Sequence, residues 1–163
     1  MSNTDRIEKQ VILRAPREQV WRAIANAGEF GTWFGAELDA PFVAGTIVPA
    51  RIVPTKVDPE VAKKQEPHAG KAFRIEVERV EPMSRLSFRW QPYEAEGEAD
   101  FTSTPTTLVE FVLEDHPQGT LLTITESGFD RIPLAKRAEA FASNEQGWAI
   151  QATLIASYLA RDT

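Results

Sequence analysis

Few side chains in this sequence are placed to do chemistry, and Glu126 is the most suggestive of them. It follows Leu122 and Ile124 at intervals of two in a β-rich run, so it faces the core if they do. A carboxyl group on such a face could donate or accept a proton. The sequence supplies no second group to pair with it, and the competing interpretation is that Glu126 lies solvated and inert at the end of its strand.

A run of carboxylates is the second feature of this kind. Glu94, Glu96, Glu98 and Asp100 alternate along one stretch, and clustered oxygen ligands suit calcium or a cationic ligand. The stretch lacks the spacing of a calcium loop with its central glycine, however, and charge runs are most often solvated surface. We therefore expect a solubilising segment that protects an edge of the protein, and no metal site.

Other catalytic patterns are missing from the sequence. His68 and His116 are its only histidines and are not spaced as a ligand pair, and it has no cysteine. Neither a Gly-x-Ser-x-Gly elbow nor a phosphate-binding loop is present. The sequence accordingly predicts no metal, no cofactor, and none of the triad or nucleotide mechanisms.

Length and composition indicate one globular domain spanning residues 1–163. Apolar residues make up 42% of the chain, and no linker or repeat divides it. A net charge of −6 disfavours a nucleic-acid partner, which would need clustered Lys and Arg. No apolar run approaches the roughly 20 residues that span a bilayer. Because the N-terminus also lacks an apolar signal stretch, we expect a cytoplasmic protein without a membrane partner.

Periodicity predicts the elements that would hold these side chains. A strand over residues 7–13 precedes two short helices, which end near Gly28 and Gly35. Residues 42–53 are β-rich but contain Pro49, which favours a hairpin-like or edge strand. Four strands with period-two alternation then follow as a meander between residues 71 and 129, with a bulge near Val80.

Weaker sequence patterns predict the structure of the remaining segments. Residues 54–69 are the least regular part, in which Asp58 caps one short helix. A capping box of Ser143 and Gln146 predicts the start of a long C-terminal helix with Trp148 on its apolar face. Residues 134–141 are predicted as a separate helical approach, and His68 is predicted to begin a strand.

Several short motifs, in their order, resemble one known superfamily. They are Val20-Trp21-Arg22-Ala23, Trp33-Phe34, a hairpin over 70–90 with Glu81-Pro82 at its tip and a Leu-x-Phe-x-Trp return, and Gly147-Trp148 followed by Leu154 and Tyr158-Leu159. Over residues 5–160 the chain resembles the SRPBCC superfamily. Within it, the chain is similar to bacterial single-domain members of the group named after the activator of the ninety-kilodalton heat-shock-chaperone ATPase.

The resemblance implies an α+β helix-grip fold, as in START domains and the birch pollen allergen. A curved antiparallel sheet of about six strands would wrap the C-terminal helix and leave an apolar cavity. The resemblance also places the second short helix, and with it Trp33, at the cavity mouth. The expected ligand-binding residues are those predicted to face inward, together with Gln151, which lies one turn beyond Trp148: Trp33, Phe73, Phe88, Trp90, Phe111, Glu126, Trp148 and Gln151. The alternative for the aromatic residues is that they only fill the core.

Three functions follow from this resemblance. The first is binding of a small hydrophobic or aromatic molecule without chemistry, with Gln151 orienting it. The second is a cyclase or dehydratase that uses Glu126 on a polyketide-like or aromatic substrate. The third and weakest is chaperone regulation, because the eukaryotic activator grips the chaperone with a separate N-terminal domain for which this chain has no room. The sequence leaves open whether the protein is a homodimer and whether residues 54–69 form a lid.

Overall fold

The computed structural model describes residues 6–91, 106–132 and 134–161, except the side chains of residues 134, 135 and 161. It shows the predicted α+β architecture, with one antiparallel sheet and a long C-terminal helix. The strands are β1 Arg6–Leu13, β2 Ala36–Leu38, β3 Ile47–Ile52, β4 Ala72–Glu81, β5 Arg85–Trp90, β6 Thr107–His116 and β7 Gly119–Ser127. The α-helices are α1 Arg17–Ala25, α2 Ala27–Phe34, α3 Pro59–Gln65 and α4 Leu134–Arg161, and short 3-10 turns cover Glu66–His68 and Phe129–Arg131.

The sheet follows the order β1-β7-β6-β5-β4-β3-β2. Strands β4 to β7 are consecutive neighbours, which confirms the predicted meander. The predicted bulge is also present, because the β4–β5 register shifts between Val77 and Arg79. Within the described ranges the sheet has seven strands, one more than expected, since the three-residue β2 adds a short edge strand.

Strand β3 has the partial edge character that its proline indicated. Residues Ala50, Arg51 and Ile52 pair with β2, whereas Pro49 pairs with Arg74 of β4. Because β2 is so short, Ile47 and Val48 pair with no residue of β2, and Pro49 acts on that side only as an acceptor, from the backbone N–H of Asp39 at 3.0 Å. The missing N–H of Pro49 is tolerated in such a position.

The start of the long helix differs from the prediction. Helix α4 begins at Leu134 and continues for 28 residues, so Ser143 and Gln146 lie inside it as exposed residues and not at its N-terminus. A capping box needs free backbone N–H groups, and these are absent wherever the preceding turn is helical. The preceding residues are mostly strong helix formers, such as alanine, and contain no breaker. The predicted boundary at residue 143 is therefore wrong.

The shorter helices lie near the predicted positions, but α1 already ends at Ala25, and Gly28, which was predicted to end it, lies inside α2. The Asp58 side chain accepts hydrogen bonds from the backbone N–H groups of Glu60 and Val61, which confirms its role as the cap of α3. Gly35 ends α2 in the left-handed conformation, with a φ of 98°. His68 lies in a 3-10 turn and not in a strand, so that prediction is wrong.

Candidate functional site

Glu126 lies on β7 with its side chain completely buried, at 0% relative exposure. It alternates with Leu122 and Ile124, both of which are also buried. The inward orientation expected from sequence parity is therefore confirmed, and the solvated alternative is wrong. A catalytic or ligand-binding role for Glu126 stays a prediction, which its surroundings help to judge.

Four side chains direct hydrogen-bond donors at this carboxylate. Trp148 Nε1 donates to Oε1 at 2.8 Å, Trp90 Nε1 donates to Oε2 at 2.9 Å, and Thr107 Oγ1 also donates to Oε2. Asn144 Nδ2 lies 3.1 Å from both oxygens. An ionised carboxylate is an acceptor only, so a surrounding of donors matches its needs.

This network joins distant parts of the chain. Trp90 ends β5, Thr107 begins β6, Glu126 lies near the end of β7, and Asn144 and Trp148 lie one turn apart on α4. Hydrogen bonds to a charged group are worth about 1.5–3 kcal/mol each. Glu126 therefore fastens α4 to the middle of the sheet at this end, and its hydrogen bonds are directed to protein groups rather than to a substrate.

Three aromatic rings lie next to the network. The ring centroids of Trp90 and Trp148 are 5.5 Å apart at an interplanar angle of 27°. Phe34, the last residue of α2, lies 5.9 Å from Trp90 and 6.1 Å from Trp148. We call these residues the three-ring group. Rings at these distances already touch one another, so a ligand would lie against the group and not between its members.

The three-ring group forms part of an open cleft between the sheet and α4. The cleft has a volume of about 80 Å³ and is lined by Phe34, Trp90, Asn144, Gly147, Trp148 and Gln151. This is about half the roughly 150 Å³ of an engineered apolar cavity that binds benzene in another protein. In the ranges described, the structure thus shows a small open cleft in the place where the resemblance implied an apolar cavity.

The predicted site residues divide into two groups. Trp90, Trp148 and Gln151 line the cleft, and Glu126 lies directly behind it. Trp33, Phe88 and Phe111 are fully buried and Phe73 is partly buried, and none of these four belongs to the lining. Contact between a ligand and these four residues stays a prediction.

The buried aromatic residues have clear packing roles. Trp33 donates its indole N–H to the carbonyl of Ala23 at 2.9 Å, which fixes α2 against α1. Phe111 lies edge-on to Trp148 at 5.8 Å, and Phe88 lies edge-on to Trp90 at 5.5 Å. These rings therefore support the three-ring group from the core side.

Phe34, Asn144 and Gly147 line the cleft but were not among the residues predicted for the site from the sequence. Phe34 and Gly147 each stand next to a predicted tryptophan in the motifs that carry the resemblance, so a signal was available for both. Asn144 was part of the apparent helix start at Ser143 and gave no separate signal. Its role becomes visible only because that turn is helical and brings it one turn before Trp148.

Gln151 carries an unusual feature of the cleft. Its Nε2 donates to the backbone carbonyl of Phe34 at 3.0 Å. Since that carbonyl can only accept, the amide nitrogen must face it, and the orientation of the amide is thereby fixed. Oε1 is buried and has no hydrogen-bond partner within the described part of the chain. A buried acceptor left unpaired costs about 1–3 kcal/mol, so a donor that reached this atom would be stabilised.

Gly147 lies in the interior of α4 and forms part of the cleft wall. A Cβ atom built on it would meet nothing within 4 Å, apart from its own helix backbone and chain neighbours, among the described residues. A glycine in a helix interior destabilises by roughly 0.5–1 kcal/mol relative to alanine. Close packing against the described residues therefore does not require glycine at this position.

The irregular stretch 54–69 is attached to the same wall. Gln65 Nε2 donates to the carbonyl of Phe34 at 3.1 Å, and its Oε1 accepts from the backbone N–H of Thr55 at 2.7 Å. The Phe34 carbonyl therefore receives both Gln65 from α3 and Gln151 from α4. This connects the stretch to a residue that lines the cleft.

The remaining polar candidates lie elsewhere. His68 Nδ1 is 3.0 Å from Lys71 Nζ, and His116 Nδ1 accepts from the backbone N–H of Gln118. In the described ranges, no group of three or more His, Asp or Glu residues is arranged to hold a metal ion. The carboxylate run over 94–100 lies outside the described residues.

Comparisons with known proteins agree with this architecture. Residues 14–160 match the family model described as "Activator of Hsp90 ATPase homolog 1-like protein". No protein of curated function gives a significant sequence match. Within the described residues, no helix is long and apolar enough to cross a membrane.

Three solved structures illustrate the similarity in fold. Protein MLL2253 from Mesorhizobium loti is 22% identical with a TM-score of 0.71, and the match covers 97% of this chain and 98% of that one. The Aha1 dimer from Colwellia psychrerythraea is 14% identical with a TM-score of 0.66, over 94% and 95% of the two chains. DynU16, from the dynemicin biosynthetic locus, is 27% identical with a TM-score of 0.66, over 95% of this chain and 47% of that one. The chain thus spans about half the length of DynU16.

Proposed function

The chain belongs to the family of Activator of Hsp90 ATPase homolog 1-like proteins, and on that basis we propose that it binds a small apolar or aromatic ligand at the cleft between its sheet and α4. The ligand lies against Phe34, Trp90 and Trp148, and Gln151 orients it. The protein performs no chemistry on it. A cytoplasmic location is part of the same proposal.

The observation that carries this proposal is Gly147. An alanine at this position would be better for the helix and would meet no steric obstacle, as described above. Because the residue lines the cleft, a glycine there is consistent with space that is kept for a ligand.

The rigidity of the aromatic surface adds support. Both tryptophan N–H groups donate to Glu126, so the rings are already oriented before any ligand arrives. A site ordered in advance loses less conformational entropy on binding. An open apolar surface with a few fixed polar atoms has the general character of a small-molecule site.

The enzymatic alternative has less support in the geometry. Glu126 is fully buried behind the cleft, and both of its oxygens accept from protein donors. A general acid or base must reach the reacting atom directly or through one water molecule. DynU16 is described as a protein of a biosynthetic locus, but that description assigns it no reaction.

Variants of α4 test the proposal with a matched control. Gly147→Leu places a side chain in the cleft, whereas Ala149→Leu adds the same side chain at an exposed position of the same helix. Benzyl alcohol and indole serve as neutral probes. The indole N–H signals of the four tryptophans, followed by NMR, are the readout.

We expect saturable shifts of the Trp90 and Trp148 signals, with those of Trp21 and Trp33 nearly unchanged. Gly147→Leu should abolish these shifts and Ala149→Leu should preserve them. Equal saturable binding by both variants would show that the site lies elsewhere, and the absence of any saturable shift in the wild-type protein, with these neutral probes and with charged aromatic probes, would refute the proposal.

A homodimer is a second part of the proposal. The Colwellia protein is described as a dimer and has the same fold over almost its whole length. Sedimentation equilibrium of this chain should give twice the monomer mass of 18.2 kDa. A monomer mass at all concentrations tested would refute this part and leave the ligand proposal intact.

A further inference from the structure

We propose that the group of the ligand that enters the cleft is a positively charged nitrogen carrying an N–H. The ligand class is then a primary, secondary or tertiary ammonium attached to a small apolar body. This inference rests on the ligand-binding function proposed above and specifies the chemistry that the cleft selects.

The carboxylate of Glu126 places a negative charge next to the cleft. Glu126 is completely buried, and its partners are two indoles, one amide and one hydroxyl, so no cation balances it among the described residues. Every described residue that lines the cleft is uncharged. Buried charges are usually paired, and an unbalanced carboxylate makes the neighbouring space electrically negative.

A ligand in the cleft would come close to this charge. Trp90, Asn144 and Trp148 line the cleft and are also the residues that donate to Glu126. A bound molecule is therefore separated from the carboxylate by a single layer of side chains. Donation of an indole N–H to a carboxylate also moves electron density into the ring, and a richer ring attracts cations more strongly.

Most of the polar hydrogen atoms around the cleft are already used within the protein. The indole N–H groups and the Asn144 amide nitrogen are already directed at Glu126, and the Gln151 amide nitrogen is directed at Phe34. Gln151 Oε1 remains as a buried acceptor without a partner in the part of the chain described. Because Gln151 lines the cleft, a small movement of its side chain would bring this acceptor to a ligand, and an ammonium N–H is a donor that also offsets the negative charge of Glu126.

The volume of the cleft also favours a small charged head group. A volume of about 80 Å³ admits a small head group and leaves an attached aromatic ring to lie against the open side.

Anionic ligands are disfavoured by the buried charge of Glu126. A carboxylate or phosphate in the cleft would face Glu126, and among the described residues no Lys, Arg or His lines the cleft to offset the repulsion.

Four probes of similar size separate the contribution of the positive charge from that of the N–H donor. Benzylammonium carries charge and N–H donors, benzyltrimethylammonium carries charge alone, benzyl alcohol is neutral, and benzoate is an anion. Each is titrated into the full chain at neutral pH, and the Trp90 and Trp148 indole N–H signals are followed by NMR. Benzylammonium should bind about 5- to 30-fold more tightly than benzyl alcohol, and benzoate should give no saturable shift.

The variant Gln151→Met tests the acceptor, because methionine keeps the approximate length of the side chain and removes the amide. It should weaken benzylammonium about three- to tenfold and change benzyltrimethylammonium by less than about twofold. Since both probes are compared on one variant, a general loosening of the cleft would weaken them equally. An equal loss for both probes would overturn the role of Gln151 Oε1.

The outcomes distinguish this inference from the proposed function. If benzyl alcohol binds as tightly as benzylammonium, or benzoate binds more tightly than either, the selection for a cation is refuted while ligand binding at the cleft stands. If none of the four probes shifts the Trp90 and Trp148 signals, both the proposed function and this inference fail.

Discussion

The indole rings of Trp90 and Trp148 stack with their centroids 5.5 Å apart, and each ring donates its N–H to a different oxygen of Glu126. One tryptophan ends a central strand and the other lies on α4. A single buried carboxylate therefore fixes the position of the helix against the sheet and the orientation of both rings. The stability of this arrangement and the openness of the cleft can be tested separately.

Replacing Glu126 by glutamine should destabilise the protein by about 1–3 kcal/mol. The new amide nitrogen must face either Trp148 Nε1 or Trp90 Nε1, so one indole N–H loses its acceptor. The free energy of unfolding is measured by urea denaturation. The control is Glu114→Gln, an exposed change on β6 that should stay within about 0.5 kcal/mol of the wild type. Equal stability of the two variants would show that the network does not fasten the helix.

Truncating Trp148 to alanine should cost about 3–5 kcal/mol, as is usual for large buried aromatic residues. The side chain is only 2% exposed, and its removal also takes a donor from Glu126. Thermal or urea denaturation followed by circular dichroism gives the value without relying on tryptophan fluorescence. A loss below about 1 kcal/mol would contradict the tight packing of α4 at this position.

Gly147→Ala should stabilise the protein by about 0.5–1 kcal/mol. The added methyl group meets no described atom beyond its own helix and its chain neighbours, so the gain in helix propensity is not offset by strain. The reverse change at an exposed position of the same helix, Ala149→Gly, should lower stability by a similar amount. If Gly147→Ala were destabilising, the glycine would have a packing role and the argument from the open wall would fail.

Gln65→Ala should loosen the attachment of α3. It removes the acceptor of the Thr55 N–H and one of the two donors to the Phe34 carbonyl. Amide hydrogen exchange at Thr55 should accelerate while exchange in the central strands stays slow. Lys64→Ala, an exposed change in the same helix, is the control and should leave the Thr55 amide protected. Unchanged exchange in Gln65→Ala would show that other contacts hold the stretch.

Much of the fold could be predicted because local periodicity determines it. Alternation of apolar and polar residues predicted the four-strand meander, and the Asp58 cap and Gly35 bound their helices as expected. The alternation of residues along β7 was enough to predict that the Glu126 side chain faces inward, which the structure confirms. These features depend on neighbours within a few residues, so the sequence contains the information directly.

Some local signals were overridden by their context. The capping residues at Ser143 and Gln146 had the right spacing but lie inside a helix that begins at Leu134. The expectation that Trp33 lies at a cavity mouth came from the family resemblance and not from a local pattern. The structure turns Trp33 into the core and its neighbour Phe34 toward the cleft.

By itself, then, the sequence determined most of the elements, their order and the faces that they bury, but not strand β2 or the start of α4. Only the tertiary structure decided the site. The partners of Glu126 lie 18 to 36 residues away on three other elements, and nothing in local periodicity relates them. Side chains from separate strands and a helix converge only after register and packing are set, and the volume left between them depends on every neighbouring ring. For that reason the inward carboxylate could be read from the chain, whereas its four donors and the small cleft beside them could not.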